Sequence, residues 1–266
     1  MTIFPICTTC GVQYEAPAKP PGSCMICEDE RQYVNPTGQS WTFREEMALN
    51  YKNQIEQLEQ NLFSIHTSPS FGIGQRAHLL ITSQGNILWD CVTHLDSPTI
   101  DKINALGGVK AIAISHPHYY ATMMDWSYAF ESAPVYINNA DAEWLCRKGP
   151  SLTLWQGPEL ELWEGIKLIH CGGHFPGANI LYVPFGKGSL MVGDVIQVCP
   201  DRKSVSFMYS YPNYIPLSGK EVLSINRSVK NLPFDALYGA FGHHILYSGK
   251  KILEFSVNRY LSRIGG

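Results

Sequence analysis

The sequence predicts a layered α/β domain with mixed sheets, carried behind a small metal-stapled N-terminal segment. Two C-x2-C pairs fall within the first 27 residues, which staples that segment. From residue 62 onward, short β-rich runs separated by Gly, Pro and Ser give way to strand–helix alternation, which indicates sheets with helices layered on them. A chain of 266 residues with 45% hydrophobic and 12% aromatic residues can bury a sizeable core, which excludes wholesale disorder. Charged residues make up only 16%, and 20 Lys+Arg against 23 Asp+Glu leave a net charge of −3 with no basic run. That balance gives no electrostatic footprint for nucleic acid or an anionic membrane. No apolar stretch reaches the roughly 18 residues needed to span a bilayer. The opening Met1-Thr2-Ile3-Phe4-Pro5-Ile6-Cys7 lacks the basic start and apolar core of a signal peptide, so the expected compartment is the cytoplasm.

The N-terminal knuckles are Cys7-Thr8-Thr9-Cys10 and Cys24-Met25-Ile26-Cys27. Each short loop presents two thiolates from one turn, which suits structural zinc in a tetrahedral four-cysteine site. The 13 residues between them, 11–23, include five Pro or Gly and read as a loop. The competing reading is a pair of redox C-x-x-C motifs, but neither opens a helix after a strand. Cys91, Cys146, Cys171 and Cys199 stand singly and read as small buried hydrophobes.

Residues 1–40 are thus expected to form a zinc ribbon too small to hold a core alone, residues 41–60 a linking helix, and residues 61–266 the main domain. The helix expectation rests on Thr42 with Glu45 as a capping box and on the recurrence of Phe43, Met47, Tyr51, Ile55, Leu58 and Leu62. Strands follow at 62–66, 77–82 and 86–90, the last two joined by a turn at Gln84-Gly85. Ser97 as N-cap with Pro98 behind it opens a helix ending at Gly107-Gly108. A buried strand at 109–115, a helix around 121–130, a strand at 135–137 and a helix around 141–147 continue the alternation. Strands around 152–154, 166–170, 180–183 and 190–192, a helix at 218–230, a strand at 236–240 and a last helix at 250–264 complete it. The segment 199–216, rich in Tyr, Ser and Pro, reads as an active-site lid or a surface loop. Trp126, Trp144, Trp155, Trp163 and Tyr209-Ser210-Tyr211-Pro212 are read as core aromatics before pocket lining.

Among nine His, His116, His118, His174 and His243 sit at glycine-flanked or strand-end positions of the kind that hold metal. His116 and His118 follow the apolar run Ala111-Ile112-Ala113-Ile114-Ser115, and alternation in a strand would point both rings one way. His174 follows Cys171-Gly172-Gly173 at another strand end. Asp194 closes Met191-Val192-Gly193-Asp194, and His243 closes Gly239-Ala240-Phe241-Gly242-His243. His66, His78, His94 and His170 lack that context and read as structural.

This order of motifs resembles the metallo-β-lactamase superfamily over roughly residues 60–250. The family pattern is H-x-H-x-D-H, then Gly-His, then Asp after Gly, then a final Gly-His. Here it is matched by Ser115-His116-Pro117-His118, by Gly173-His174, by Gly193-Asp194 and by Gly242-His243, and Leu88-Trp89-Asp90 looks like the strand ending in Asp that precedes the first motif. The resemblance implies an αββα sandwich with metal at one edge. Tyr120 and Ala121 stand where the family has Asp and His, so a second metal would keep only Asp194 and His243, and a mononuclear centre is expected.

The resemblance then implies a zinc hydrolase with His116, His118, His174 and Asp194 as metal ligands and a metal-bound water as nucleophile, acting on a small molecule such as an ester or thioester. Asp194 would serve as fourth ligand or base, and His243 as proton shuttle or oxyanion partner. Tyr120 would either donate to a developing oxyanion or fill the vacated metal space. A mononuclear iron oxidoreductase of the persulfide-dioxygenase type is the alternative, as is a non-catalytic descendant that binds a ligand. The ribbon would pack against its own domain, dimerise or recruit a protein partner.

Overall fold

A computed structural model describes residues 3–16 and 19–264. Met1 and Thr2 of the N-terminal reading, Pro17 and Ala18 of the loop between the knuckles, and the two terminal glycines lie outside the described residues. The chain divides into two compact units, Met1–Ile137 with Ala142–Leu154, and Asn138–Asp141 with Trp155–Gly266.

The first unit is built on a seven-stranded sheet whose strands lie in chain order: Lys52–Glu59, Leu62–Ser68, Ala77–Leu80, Ile87–Trp89, Ala111–Ala113, Val135–Asn138 and Leu152–Trp155. The first four pair antiparallel through short turns. Ile87–Trp89, Ala111–Ala113 and Val135–Asn138 pair parallel, and parallel neighbours need crossovers. The helices Ser97–Ala105 and Met123–Ala129 supply them. Ile87–Trp89 and Ala111–Ala113 are buried throughout, as apolar inner strands of a sheet covered on both faces should be. Lys52–Glu59, at the sheet edge, carries its charges outward, which blunts the edge.

That edge strand corrects the expected linking helix over 41–60. The helix is Arg44–Asn50 only, and Lys52–Glu59 is a strand in register with its neighbour, Ile55 opposite Ile65. Phe43, Met47 and Tyr51 are spaced as in a helix, but past Tyr51 only Ile55 and Leu58 continue the stripe before Leu62 opens the partner strand. Two apolar residues anchor a helix less well than a full hairpin ladder, so pairing overrides local periodicity. The expected capping box is also absent: the Thr42 hydroxyl donates to Glu46 Oε2 at 2.7 Å. The next helix starts one residue earlier than read, because Asp96 and not Ser97 is its cap, accepting from the Thr99 amide at 2.9 Å.

The second unit carries a six-stranded sheet in the order Glu159–Glu161, Lys167–His170, Asn179–Val183, Ser189–Gly193, Ala236–Gly239, His244–Ile245. Only Ser189–Gly193 and Ala236–Gly239 pair parallel. The helix Gly219–Val229 crosses between them, opened by a capping box of Ser218 and Glu221. The segment read as a lid or loop, 199–216, is held by two small antiparallel pairs: its Val205–Ser206 pairs with Gln197–Val198 just before it, and Met208–Ser210 pairs with Ile215–Pro216. It is tied to the last helix, Gly249–Ile264, by Tyr260, whose hydroxyl lies 2.9 Å from the carbonyls of both Phe207 and Leu217. The helix expected around 141–147 is a 3-10 turn, Asn139–Trp144. Among the described residues no helix is long and apolar enough to cross a membrane.

Candidate metal centres

The four knuckle cysteines come together as the sequence reading expects. Cys7, Cys10, Cys24 and Cys27 are at most 2% exposed, and their sulfurs all lie within 4.8 Å of one another. Cys7 Sγ to Cys27 Sγ and Cys10 Sγ to Cys24 Sγ are each 3.6 Å, far too long for a disulfide. A tetrahedron with metal–sulfur bonds of about 2.3 Å has edges of about 3.8 Å, so the cage fits a zinc-sized ion. Around it, the Tyr14 hydroxyl donates to Cys24 Sγ at 3.2 Å and the Gln39 amide to Cys7 Sγ at 3.3 Å. Donors aimed at the sulfurs favour the thiolate forms a metal requires. Burial pushes the Cys10 thiol well above its ordinary range, while hydrogen bonds from the neighbouring cysteines hold Cys7 and Cys24 below it.

His116 and His118 converge by a different route from the one alternation predicts. The strand ends at Ala113, His116 is extended, and Pro117 opens a 3-10 turn, Pro117–Tyr119. The two buried rings lie edge to face with centroids 5.1 Å apart, and the Tyr119 ring sits 4.3 Å from that of His116. Asp90, expected from the motif at the end of its strand, holds the turn from behind. Its Oδ1 accepts from the Ser115 amide at 2.7 Å. The Ser115 hydroxyl lies 2.9 Å from His116 Nδ1, which fixes that ring and leaves Nε2 to serve as ligand.

In the second unit, the Cys171-Gly172-Gly173 bend delivers His174. Gly173 has φ +81°, and a Cβ there would meet the terminal methyls of Leu217 and Ile225 at 3.0 Å, so any side chain at this bend would be strained. His174 is 1% exposed, and its Nδ1 lies 3.1 Å from the Met208 carbonyl, which defines Nδ1 as the N–H and Nε2 as the lone-pair nitrogen. Nε2 lies 3.8 Å from Asp194 Oδ2. That is too long for a hydrogen bond, but it suits two ligands sharing one cation at about 2.0–2.2 Å each. Asp194 is itself braced, its carbonyl accepting from Tyr211 Oη at 3.0 Å. Burial pushes the Tyr211 hydroxyl well above its ordinary range, so it remains a donor. The turn after His174 is anchored by Asp141, whose Oδ1 accepts from the Gly177 amide at 2.6 Å.

Other candidates fall differently. His243 is half-buried, its carbonyl accepting from the Gly239 amide at 3.2 Å, and among the described residues it does not join the metal-capable set of His174 and Asp194. Tyr120 is 2% exposed and borders a gap of about 10 Å³ with Val12, Gln13 and Met124. His170 keeps a structural role, its Nε2 2.7 Å from the Pro176 carbonyl, and His94 pairs with Asp96 at 3.2 Å. Cys91 and Cys171 are buried as expected, whereas Cys146 and Cys199 are half-buried. Asp141 was invisible in the sequence, having no motif around it, and Ser115, although it opens the Ser115-His116-Pro117-His118 run, carried no signal of its bond to His116. Tyr211 lay in a run whose aromatic content was the only signal.

No protein-family model matches the chain. It is 47% identical over 264 residues to the uncharacterized protein YmaE of Bacillus subtilis (strain 168), covering 97% of this chain and 96% of that one. Among solved structures it resembles the DIM-1 metallo-β-lactamase, with a TM-score of 0.57, 16% identity and coverage of 77% of this chain and 98% of that one. A B3 metallo-β-lactamase with an active-site glutamic acid matches at a TM-score of 0.54 and 17% identity over 89% of this chain and 97% of that one. A metallo-β-lactamase from Pontibacter korlensis matches at 0.54 and 13% identity, over 78% and 98%. The chain therefore belongs to the family of Bacillus subtilis YmaE, and its fold is that of the metallo-β-lactamases.

Proposed function

We propose that the chain is a metal-dependent hydrolase that holds one zinc ion through His116, His118, His174 and Asp194 and cleaves a small ester or thioester. The donor set carries this reading: three imidazoles and one carboxylate, each buried, each offering one ligand atom of the kind a zinc ion takes. Ser115 behind His116, Met208 behind His174 and Tyr211 behind Asp194 supply the bracing that metal ligands need. Zinc so held lowers the pKa of a water towards about 7 and polarises a carbonyl.

The chain's own residues set the rest. Asp194 contributes the single negative charge of the ligand set and is the nearest candidate to accept a proton. His243, half-buried and flanked by Gly242, is assigned the proton transfer to the leaving group. Tyr120, buried against Val12 and Gln13, is assigned to filling the space left by the family's Asp rather than to an oxyanion. With Tyr120 and Ala121 in place of Asp and His, one metal is expected, and leaving groups better than an amine are favoured.

The test is metal content by plasma mass spectrometry on the full chain, with ester turnover after reconstitution. Two zinc ions per chain, falling to one in His116→Ala with loss of turnover, is the expected result. Iron with oxygen consumption would replace the hydrolase by an oxidoreductase of the persulfide-dioxygenase type. A single ion that survives His116→Ala and His174→Ala would leave a non-catalytic binding protein.

A further inference from the structure

The four-cysteine segment does not stand apart from the first unit but is stitched into the turn that carries His116 and His118. Three residues after Cys10, the Gln13 amide donates to the Ala121 carbonyl at 3.0 Å. Its side chain, in a residue 3% exposed, donates through Nε2 to Asp125 Oδ2 at 3.1 Å and accepts through Oε1 from Arg147. Arg147 closes the triangle on Asp125 Oδ1 at 2.6 Å and lies 3.6 Å from the Phe4 ring centroid. One residue after Cys10, the Gly11 carbonyl accepts from Thr93 Oγ1 at 3.0 Å, and a Cβ at Gly11 would overlap that same oxygen.

These contacts land on a strained point. Ala121 has φ +42°, a left-handed conformation that costs a residue with a side chain and is held only by its surroundings. It closes the turn three residues after His118, and Tyr120 and Met123 continue the same chain of backbone bonds, Tyr120 to Pro117 and Met123 to Tyr120. Among its described residues, the segment that imposes this has little regular structure: a two-residue strand at Ile6–Cys7 paired with Trp41–Thr42, one isolated bridge between Ile6 and Gln13, and a single helical turn at Met25–Glu28. Its conformation therefore depends on the sulfur cage being filled.

We propose that Gln13 is a positioning residue for the His116–His118 turn, and that the metal of the four-cysteine cage orders this turn through Gln13, Asp125 and Arg147. The ordering itself stands on the first unit alone. Only its consequence for metal affinity rests on the hydrolase reading, in which His116 and His118 are ligands.

The experiment uses the full chain with cobalt(II), whose thiolate charge-transfer bands separate the sulfur cage from a nitrogen–oxygen site. Hydrogen exchange is followed in peptides covering residues 115–126. Gln13→Met keeps the bulk of the side chain and is expected to retain the cage bands. Loss of its polar contacts should speed exchange across 115–126 about tenfold and weaken cobalt binding at the histidines by a similar factor. Asp125→Asn, which keeps an acceptor, should fall between the parent and Asp125→Ala. Cys10→Ser should speed exchange further, and Gln13→Met covers the case in which that variant fails to fold. Unchanged exchange across 115–126 in Gln13→Met and Asp125→Ala overturns the proposal. Faster exchange with no cobalt at the histidines, even in the parent, supports the positioning role and removes the hydrolase reading instead.

Discussion

The cysteine cage and the His174–Asp194 pair reach their geometry by opposite means. The cage draws four ligands from 21 consecutive residues, on two loops that each bring a pair of sulfurs, and its donors Tyr14 and Gln39 come from the same small segment. The His174–Asp194 pair follows the ends of two sheet strands, and Met208, Tyr211 and Asp141, which brace it, come from elsewhere in the chain. A local cage specifies itself and depends on its ion for folding. A strand-end pair inherits a scaffold that hydrophobic burial has already built, so an ion bound there would contribute chemistry more than stability.

The sharpest way to break that contrast is to empty each site and compare unfolding. Cys27→Ser should remove one metal and unravel the N-terminal segment, because structural zinc contributes on the order of 10 kcal/mol in small zinc folds. His174→Ala should remove the other metal with a much smaller fall in the unfolding midpoint. Thermal unfolding of both variants with parallel metal analysis decides the matter, and equal losses would erase the distinction. The same logic forecasts that a chain lacking residues 1–41 will be poorly stable, since Gly11, Gln13 and Glu15 all bond to the remainder of the first unit.

How much of this could be read beforehand follows the same division. The cage was legible because its ligands are adjacent in sequence and their spacing has one good physical use. The strand ends carrying His116, His174 and Asp194 were legible because an apolar run followed by Gly or by His-x-His marks where a buried strand meets the site. What turns those ends into sites was not. The rings of His116 and His118 meet through a 3-10 turn at Pro117, not through strand alternation; a proline cannot donate to an inner strand's ladder and suits the first position of a turn, a signal the alternation reading passed over. Asp141 lies 36 residues before the amide it holds, within a segment that read as an ordinary helix. The helix over 41–60 failed for a related reason. Its periodicity was real as far as Tyr51, and beyond that point the chain turns into a hairpin whose partner strand begins at Leu62, the last residue of the helical stripe itself.

Two substitutions sharpen the strand-end half. Asp141→Ala leaves the Gly177 amide buried without its acceptor and should cost about 2–3 kcal/mol, with metal binding at His174 weakened alongside stability. Asp141→Asn, which retains a carbonyl oxygen, should cost less, and equal losses in the two would show that the charge rather than the hydrogen bond matters. Tyr211→Phe removes one neutral hydrogen bond to the Asp194 carbonyl, worth about 1 kcal/mol. Chemical denaturation and a zinc competition titration would read both effects.

The smallest effect concerns neither site and serves as a control for acid lability. Burial alone would raise the Asp96 carboxyl, but the Thr99 hydroxyl and amide and the His94 ring outweigh it and hold the group below its ordinary value. A carboxylate depressed in the folded state stabilises above its unfolded pKa of about 3.9, and that contribution is lost as pH falls through the lower folded value. Asp96 caps the helix Ser97–Ala105, so Asp96→Asn, which keeps the cap but not the charge, should lower stability slightly at pH 7. The gap between variant and parent should then begin to close at about pH 4, where the unfolded carboxyl takes up its proton, and vanish as pH falls through the lower folded value. Sulfur and imidazole ligands also lose their ion to protons in acid, but that loss affects both chains equally and cancels in the difference. A gap that persisted at low pH would assign the Asp96 effect to packing rather than to its charge.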